Sequence, residues 1–110
     1  MWFKIANVAE LKNSSFIYKK AGNTHVVIGK LGPKIFAFDS RCPHKGGPLQ
    51  DGTIIGRRIK CPWHGYEYDI FTGKPTLIPY PPEYGNWRKT GNLIIYDVKV
   101  RSKIVFVNIQ

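Results

Sequence analysis

Short runs rich in β-branched and aromatic residues recur along the chain, punctuated by Gly, Pro and charged residues. "SFIYKKAG", "THVVIGKL" and "KIFAFDS" are the first three, and a period of two or a short apolar block marks each as a strand. Gly32-Pro33 between the second and third predicts a hairpin turn. Further on, "RRIKC" and "YEYDIF" read as strands, with Tyr66, Tyr68 and Ile70 alternating against Glu67 and Asp69 before a turn at Thr72-Gly73. "NLIIYDVKV" and "KIVFVNIQ" predict a second hairpin around Arg101-Ser102. Between these sets lies "KPTLIPYPPEYGNWRKTGN", whose four prolines cannot donate to a ladder, so an ordered loop and not a strand is expected. A single turn of helix at "VAELKN" is the one helical signal. The pattern predicts an all-β protein of short antiparallel strands, in a sandwich or barrel.

Composition bounds this picture. With 110 residues and 43% hydrophobic content, the chain suits one globular domain, residues 1–110. "MWFKIANVAELKNSS" contains neither a signal-peptide core nor a membrane anchor, and a soluble cytoplasmic monomer is expected. The formal charge is +10, from 17 basic and 7 acidic residues. The basic residues are scattered with no block that would form a nucleic-acid face, so a solvated basic surface is expected and no nucleic acid as partner.

The candidate chemistry lies in "CPHKGGPL" and "CPWHGYEYD", which contain the two cysteines of the chain. A lone Cys42–Cys61 disulfide would leave both histidines unused. Written as spacing, the set is Cys42-x-His44, sixteen residues, then Cys61-x2-His64. Pro43, Gly46, Gly47 and Pro48 in one stretch, and Pro62 and Gly65 in the other, free backbone amides from the sheet and let the chain curl around a buried charge. Two metal sites suit two thiols and two imidazoles. A structural zinc would take all four in a tetrahedron, usually with the cysteines paired on one knuckle. A two-iron, two-sulfide cluster of Rieske type asks for one thiol and one imidazole per loop, so that each loop spans the cluster once.

"CPHKGGPLQDG" and "CPWHGYEYDIFTGK" resemble the two cluster-binding loops of Rieske-type ferredoxins and of the Rieske domains of ring-hydroxylating oxygenases, strongly over roughly residues 34–74. The resemblance implies a Rieske-like antiparallel β-sandwich with a small two-loop tip, the loops falling at about 41–50 and 60–69. It implies a [2Fe-2S] cluster with Cys42 and Cys61 on one iron and His44 and His64 on the other. This chain also departs from the respiratory members of the family. They carry two further cysteines, which bridge the loops; here those positions are Gly47 and Trp63. Their serine that hydrogen-bonds a bridging sulfide is replaced by Tyr66. Their tyrosine that hydrogen-bonds a cysteine sulfur is matched by Tyr68, which reads equally well as an ordinary strand aromatic.

Neutral imidazoles make the histidine-bound iron the easier one to reduce, and they raise the potential into a window of about −150 to +300 mV. With the serine donor missing, the lower half of that window is expected. Should the free ring N–H groups of His44 and His64 meet solvent, the potential should fall as pH rises. A second, mononuclear iron would need two more histidines, and His25, read as a polar strand residue, is the one left. No dinucleotide or phosphate-loop motif occurs either, so a one-electron carrier is expected, not an enzyme. Its partners would be a reductase and a terminal acceptor such as an oxygenase. Arg41, Lys45 and Lys60 flank the ligands and could serve docking to an acidic partner, or simply belong to the basic surface. "IPYPPEYG" could shield the cluster or be an exposed linker. Two alternatives remain: a small Rieske subunit of a larger oxidoreductase complex, and a zinc-stabilised basic binding module.

Overall fold

The computed structural model describes residues 1–109; Gln110, the end of the last expected strand, lies outside them. Ten strands among the described residues form three antiparallel sheets. β1 (Trp2–Asn7), β10 (Ile104–Asn108) and β9 (Val98–Arg101) pair in that order. β2 (Ser15–Ala21), β3 (Thr24–Leu31) and β4 (Lys34–Asp39) form the second sheet as a meander. β5 (Thr53–Ile55), β6 (Arg58–Lys60), β7 (Glu67–Asp69) and β8 (Pro75–Leu77) form the third.

The second sheet lies between two cores. Val27, Phe36 and Phe38 point to one, which also holds Leu49, Ile59, Tyr68, Ile70 and both cysteines. Val26, Ile28 and Ala37 point to the other, with Ile5, Val105 and Val107 of the terminal strands. That is why "VVI" in β3 is a continuous apolar block: a strand covered on both faces has no polar side to alternate with. The sandwich expected from the sequence is present, and its tip is a four-stranded sheet of its own.

Three local differences have physical causes. The expected strand at 92–100 is divided. Residues 94–96 bond to the edge of β4 through Asp39 N–H to Ile94 O and Tyr96 N–H to Ala37 O, both 2.9 Å, whereas β9 pairs with β10. One segment thus crosses between two layers and cannot remain a single strand. The hairpin turn falls at Ser102-Lys103, one residue later than expected, because Arg101 pairs with Ile104. Both turn residues adopt positive φ (51° and 65°), as a two-residue loop matched to strand twist requires. Within the proline-rich stretch, which was expected to contain no strand, Pro75–Leu77 forms β8. It is the edge strand with proline first, a position where the missing N–H costs no ladder bond. At "VAELKN" a short 3-10 turn forms over Val8–Glu10, with Glu10 Oε2 accepting the Asn7 N–H at 2.7 Å.

Gly29 in β3 marks a close approach between elements of the middle sheet. A Cβ there would sit 2.2 Å from Ser15 O and 2.6 Å from the Phe36 ring. Gly29→Ala is expected to destabilise the protein by about 1–3 kcal/mol through overpacking. A urea melt checks this: an unchanged midpoint would mean that β2 and β3 are not registered as described.

Candidate metal centre

The two Cys/His segments build the same turn twice. After β4, the Cys42 N–H donates to Gly47 O and its carbonyl accepts the Gly46 N–H, both at 2.8 Å. After β6, the Cys61 N–H donates to Tyr66 O at 2.8 Å and its carbonyl accepts the Gly65 N–H at 3.2 Å. In each turn proline follows the cysteine and presets the bend, and a glycine four places on takes the left-handed conformation, φ 76° at Gly46 and 77° at Gly65. The unequal spacing of the histidines therefore does not reflect unequal loops. His44 and His64 occupy successive steps of equivalent turns.

The turns face each other. The Cys42 and Cys61 thiols are buried, free and hydrogen-bonded to one another. The bond from Cys61 pulls the Cys42 thiol down to about 5, while the same bond and burial push Cys61 up. Two negative sulfurs cannot coexist here without a compensating cation, so the pair shares one proton. Backbone N–H groups of His44 and Lys45 favour the Cys42 thiolate, and those of Trp63 and His64 favour the Cys61 thiolate. The His44 and His64 rings lie edge to face, centroids 5.2 Å apart.

The state of His44 is telling. Its ring is buried, stacked on Tyr66 at 3.9 Å, and its Nε2–H donates to Trp87 O at 2.6 Å. That tautomer leaves a lone pair on Nδ1, which is buried and finds no hydrogen-bond partner among the described residues. An orphaned buried acceptor is costly, and a metal ion is the partner a neutral imidazole nitrogen suits. The donor set of two thiols, whose paired deprotonation calls for a compensating cation, and two imidazoles thus fits an iron–sulfur group. Among the described residues, no three His, Cys, Asp or Glu side chains converge to hold one ion, as a tetrahedral zinc would require.

Gly47 and Trp63 lie against each other. A Cβ on Gly47 would meet both Cys61 Sγ and the Trp63 ring at 3.0 Å, so glycine here gives the sulfur and the indole their room. Tyr66 is fully buried, and its hydroxyl donates to Arg88 O at 2.7 Å. Tyr68 is also fully buried, with its hydroxyl 3.6 Å from Cys42 Sγ and 2.7 Å from Thr90 Oγ1. Burial pushes this phenol well above its ordinary range and keeps it a protonated donor.

Tyr80 lies in the "IPYPPEYG" stretch read as a shield or a linker, whereas the motifs gave no sign of Trp87 and Thr90. All three lie in the proline-rich connection, which folds back over the histidines with a 3-10 stretch at Pro82–Arg88. The Trp87 ring lies edge-on to both His44 (4.7 Å) and His64 (5.0 Å), and Tyr80 touches His64 and Trp87. The stretch is thus a cover for the histidines, with its outer side, residues 81–87, exposed. The density of aromatics in "YPPEYGNW" was the available signal. His44 does not meet solvent through its Nε2–H, so the condition set for a pH-dependent potential is not met by this ring. His25 lies far from this site in role: it stands on β3 and shares a hydrogen bond with Tyr18 of β2. Of the flanking cations, Lys45 reaches over Trp87 (5.7 Å), whereas Arg41 is paired with Asp39.

These features define a β-sheet protein whose tip presents two thiols and two imidazoles on two matched turns, a donor set that suits an iron–sulfur group. A profile of the Rieske [2Fe-2S] domain matches residues 1–99, and the chain belongs to that family. It is 24% identical over 109 residues to the ferredoxin component of the naphthalene 1,2-dioxygenase/salicylate 5-hydroxylase systems of Ralstonia sp, covering 99% of this chain and 96% of the relative. It is 36% identical over 86 residues to the methylxanthine N1-demethylase NdmA of Pseudomonas putida, covering 74% of this chain. The match spans only about a quarter (24%) of that demethylase. The ferredoxin of carbazole 1,9a-dioxygenase from Nocardioides aromaticivorans IC177 superposes with a TM-score of 0.82 at 23% identity, over 97% of this chain and 96% of that one. The cofactor is a [2Fe-2S] cluster, which takes up and gives back one electron, so the chain is an electron-transfer protein. The zinc-module alternative is overturned by this membership.

Asp39 fastens the first turn to β4. Its buried carboxylate accepts the Arg41 N–H (2.9 Å), Arg41 Nε and Nη2 (3.0 and 3.2 Å) and the Tyr96 hydroxyl (2.9 Å). Burial alone would raise its pKa, but these donors outweigh it and hold the carboxyl below its ordinary value. Because the folded-state value is depressed, its contribution is present above the usual carboxylate range and is lost as pH falls through the depressed value. Asp39→Asn is therefore expected to cost about 2 kcal/mol near neutrality, with the gap to the native protein closing in acid. Urea melts across pH check this; a gap constant with pH would rule out the ionised carboxylate as the source.

Proposed function

We propose that this chain is a free-standing, monomeric Rieske-type ferredoxin of the cytoplasm, a single domain that carries electrons from a reductase to an oxygenase. Cys42 and Cys61 hold one iron of its cluster, and His44 and His64 hold the other. The observation that carries the reading is the repeated turn: two Cys-Pro-x-x-Gly units face each other with their thiols in contact and their imidazoles on successive steps. The orphaned Nδ1 of His44 supports the ligand assignment. An oxygenase as acceptor is supported by the ferredoxin relative, which serves such systems over nearly its whole length. The match to part of a longer demethylase favours a second reading, in which the chain works as a small subunit of a larger oxidoreductase; size exclusion of native extract separates the two.

The exposed surface around the histidines supports a docking role. Trp63, Tyr84 and Trp87 expose their rings, and Lys45 and Lys60 are also exposed. An aromatic centre with a basic rim suits a weak encounter with an acidic partner, steered by the +10 net charge.

Anaerobic reconstitution is expected to yield two irons and two labile sulfides per chain, and Cys42→Ser or His64→Ala to lose them. The midpoint potential should fall in the lower half of the window of about −150 to +300 mV, because Tyr66 points its hydroxyl at Arg88 O and so does not replace the missing serine. Metal and labile-sulfide analysis measures the first, and redox titration followed by low-temperature electron paramagnetic resonance the second; a zinc-only product, or a midpoint in the upper half, would contradict this assignment. Lys45→Glu with Lys60→Glu should slow reduction by the physiological reductase several-fold at low salt, with the difference vanishing at high salt. Equal rates at low salt would remove these lysines from the docking surface.

A further inference from the structure

Tyr68 and Thr90 form a short relay that ends on a cysteine sulfur. The Tyr68 hydroxyl stands 3.6 Å from Cys42 Sγ and 2.7 Å from Thr90 Oγ1, and Thr90 Oγ1 in turn lies 3.1 Å from Gly91 O. Each hydroxyl has one proton to give. Two arrangements are therefore self-consistent. In one, Thr90 donates to the Tyr68 oxygen and Tyr68 donates to Cys42 Sγ. In the other, Tyr68 donates to Thr90 and Thr90 donates to Gly91 O, which leaves the sulfur without this donor.

We propose that Thr90 is a positioning residue that raises the reduction potential by turning the Tyr68 proton onto Cys42 Sγ. The proposal rests on Cys42 being an iron ligand. Three features favour the first arrangement. A metal-bound thiolate carries negative charge, and charge-assisted bonds are about twice as strong as neutral ones. The phenol is a stronger donor than the aliphatic hydroxyl, so it takes the anionic acceptor. Gly91 is exposed, so water can replace Thr90 at its carbonyl. A hydroxyl donating into the phenol oxygen also polarises the phenol O–H and strengthens its bond to sulfur. That bond gains strength when an electron adds negative charge, so it favours the reduced form. Tyr68 is clamped in the core and Thr90 in the covering connection, so the relay also ties the cover to the potential.

The test is a double-mutant cycle on the reconstituted holoprotein. Iron and sulfide content and far-UV circular dichroism are measured first, and the midpoint potential of each variant second. Tyr68→Phe should lower the potential. Thr90→Val, nearly the same shape without the hydroxyl, should lower it by less, and the double variant should match Tyr68→Phe alone. Thr90→Ser should restore the native value. If Tyr68→Phe lowers the potential while Thr90→Val leaves it unchanged or raises it, the role of Thr90 is overturned while the ligand assignment stands. Additive shifts in the double variant would equally overturn it, by showing that Thr90 does not act through Tyr68. If Tyr68→Phe has no effect on a fully loaded protein, the Cys42–Tyr68 link fails and the proposal with it. If the native chain takes up no iron and sulfide, it is the reading of the cluster that fails.

Discussion

Everything at the tip depends on two thiols being held together in a nearly dry interior. Left alone, such a pair resists losing both protons: the contact makes one sulfur acidic and the other strongly basic. An iron ion bound by both sulfurs would remove the conflict, because its positive charge favours both thiolates at once. The backbone contributes the rest in advance, since each turn aims two amide N–H groups at its own sulfur. Proline, glycine and main-chain hydrogen bonds thus define the geometry of both turns.

The sheets make this possible by keeping the turns at a fixed separation. One turn leaves from β4 and the other joins β6 to β7, and the side chains beneath them, Phe38, Leu49, Ile59 and Tyr68, belong to one continuous core. The second core lies on the other face of the middle sheet. It serves the tip indirectly, by packing against the face of β3 and β4 opposite the first core. Asp39 then transfers that rigidity to the first turn through Arg41 and Tyr96.

Much of this was legible in the residues. The strands of the central meander and the alternation of Tyr66, Tyr68 and Ile70 could be read from local pattern, and the two Cys/His stretches from their spacing. Each of those signals is contained within a few consecutive positions. What escaped was non-local. That 92–100 serves two sheets depends on where β4 and β10 lie, and β8 exists because an edge is available for a strand that begins with proline. The unequal histidine spacing drew attention away from the shared Cys-Pro-x-x-Gly pattern, and the hydrogen bonds of Cys42 and Cys61 show that the two turns are equivalent. The cover over the histidines was one of two readings of "IPYPPEYG", and its polar link could not be read, because the His44 ring donates to a main-chain carbonyl, that of Trp87, a group every residue has.

That cover has a consequence for how readily charge can hop. Tyr66, Trp87 and Tyr80 pack the imidazoles within a wall of rings, and the polar links to it end on main-chain oxygens held in place by a 3-10 stretch. Fixed dipoles and polarisable rings need little rearrangement when the charge beside them changes, unlike loose water. The reorganisation energy of the tip is correspondingly small, so a brief and imperfectly aligned collision can suffice for an electron to cross.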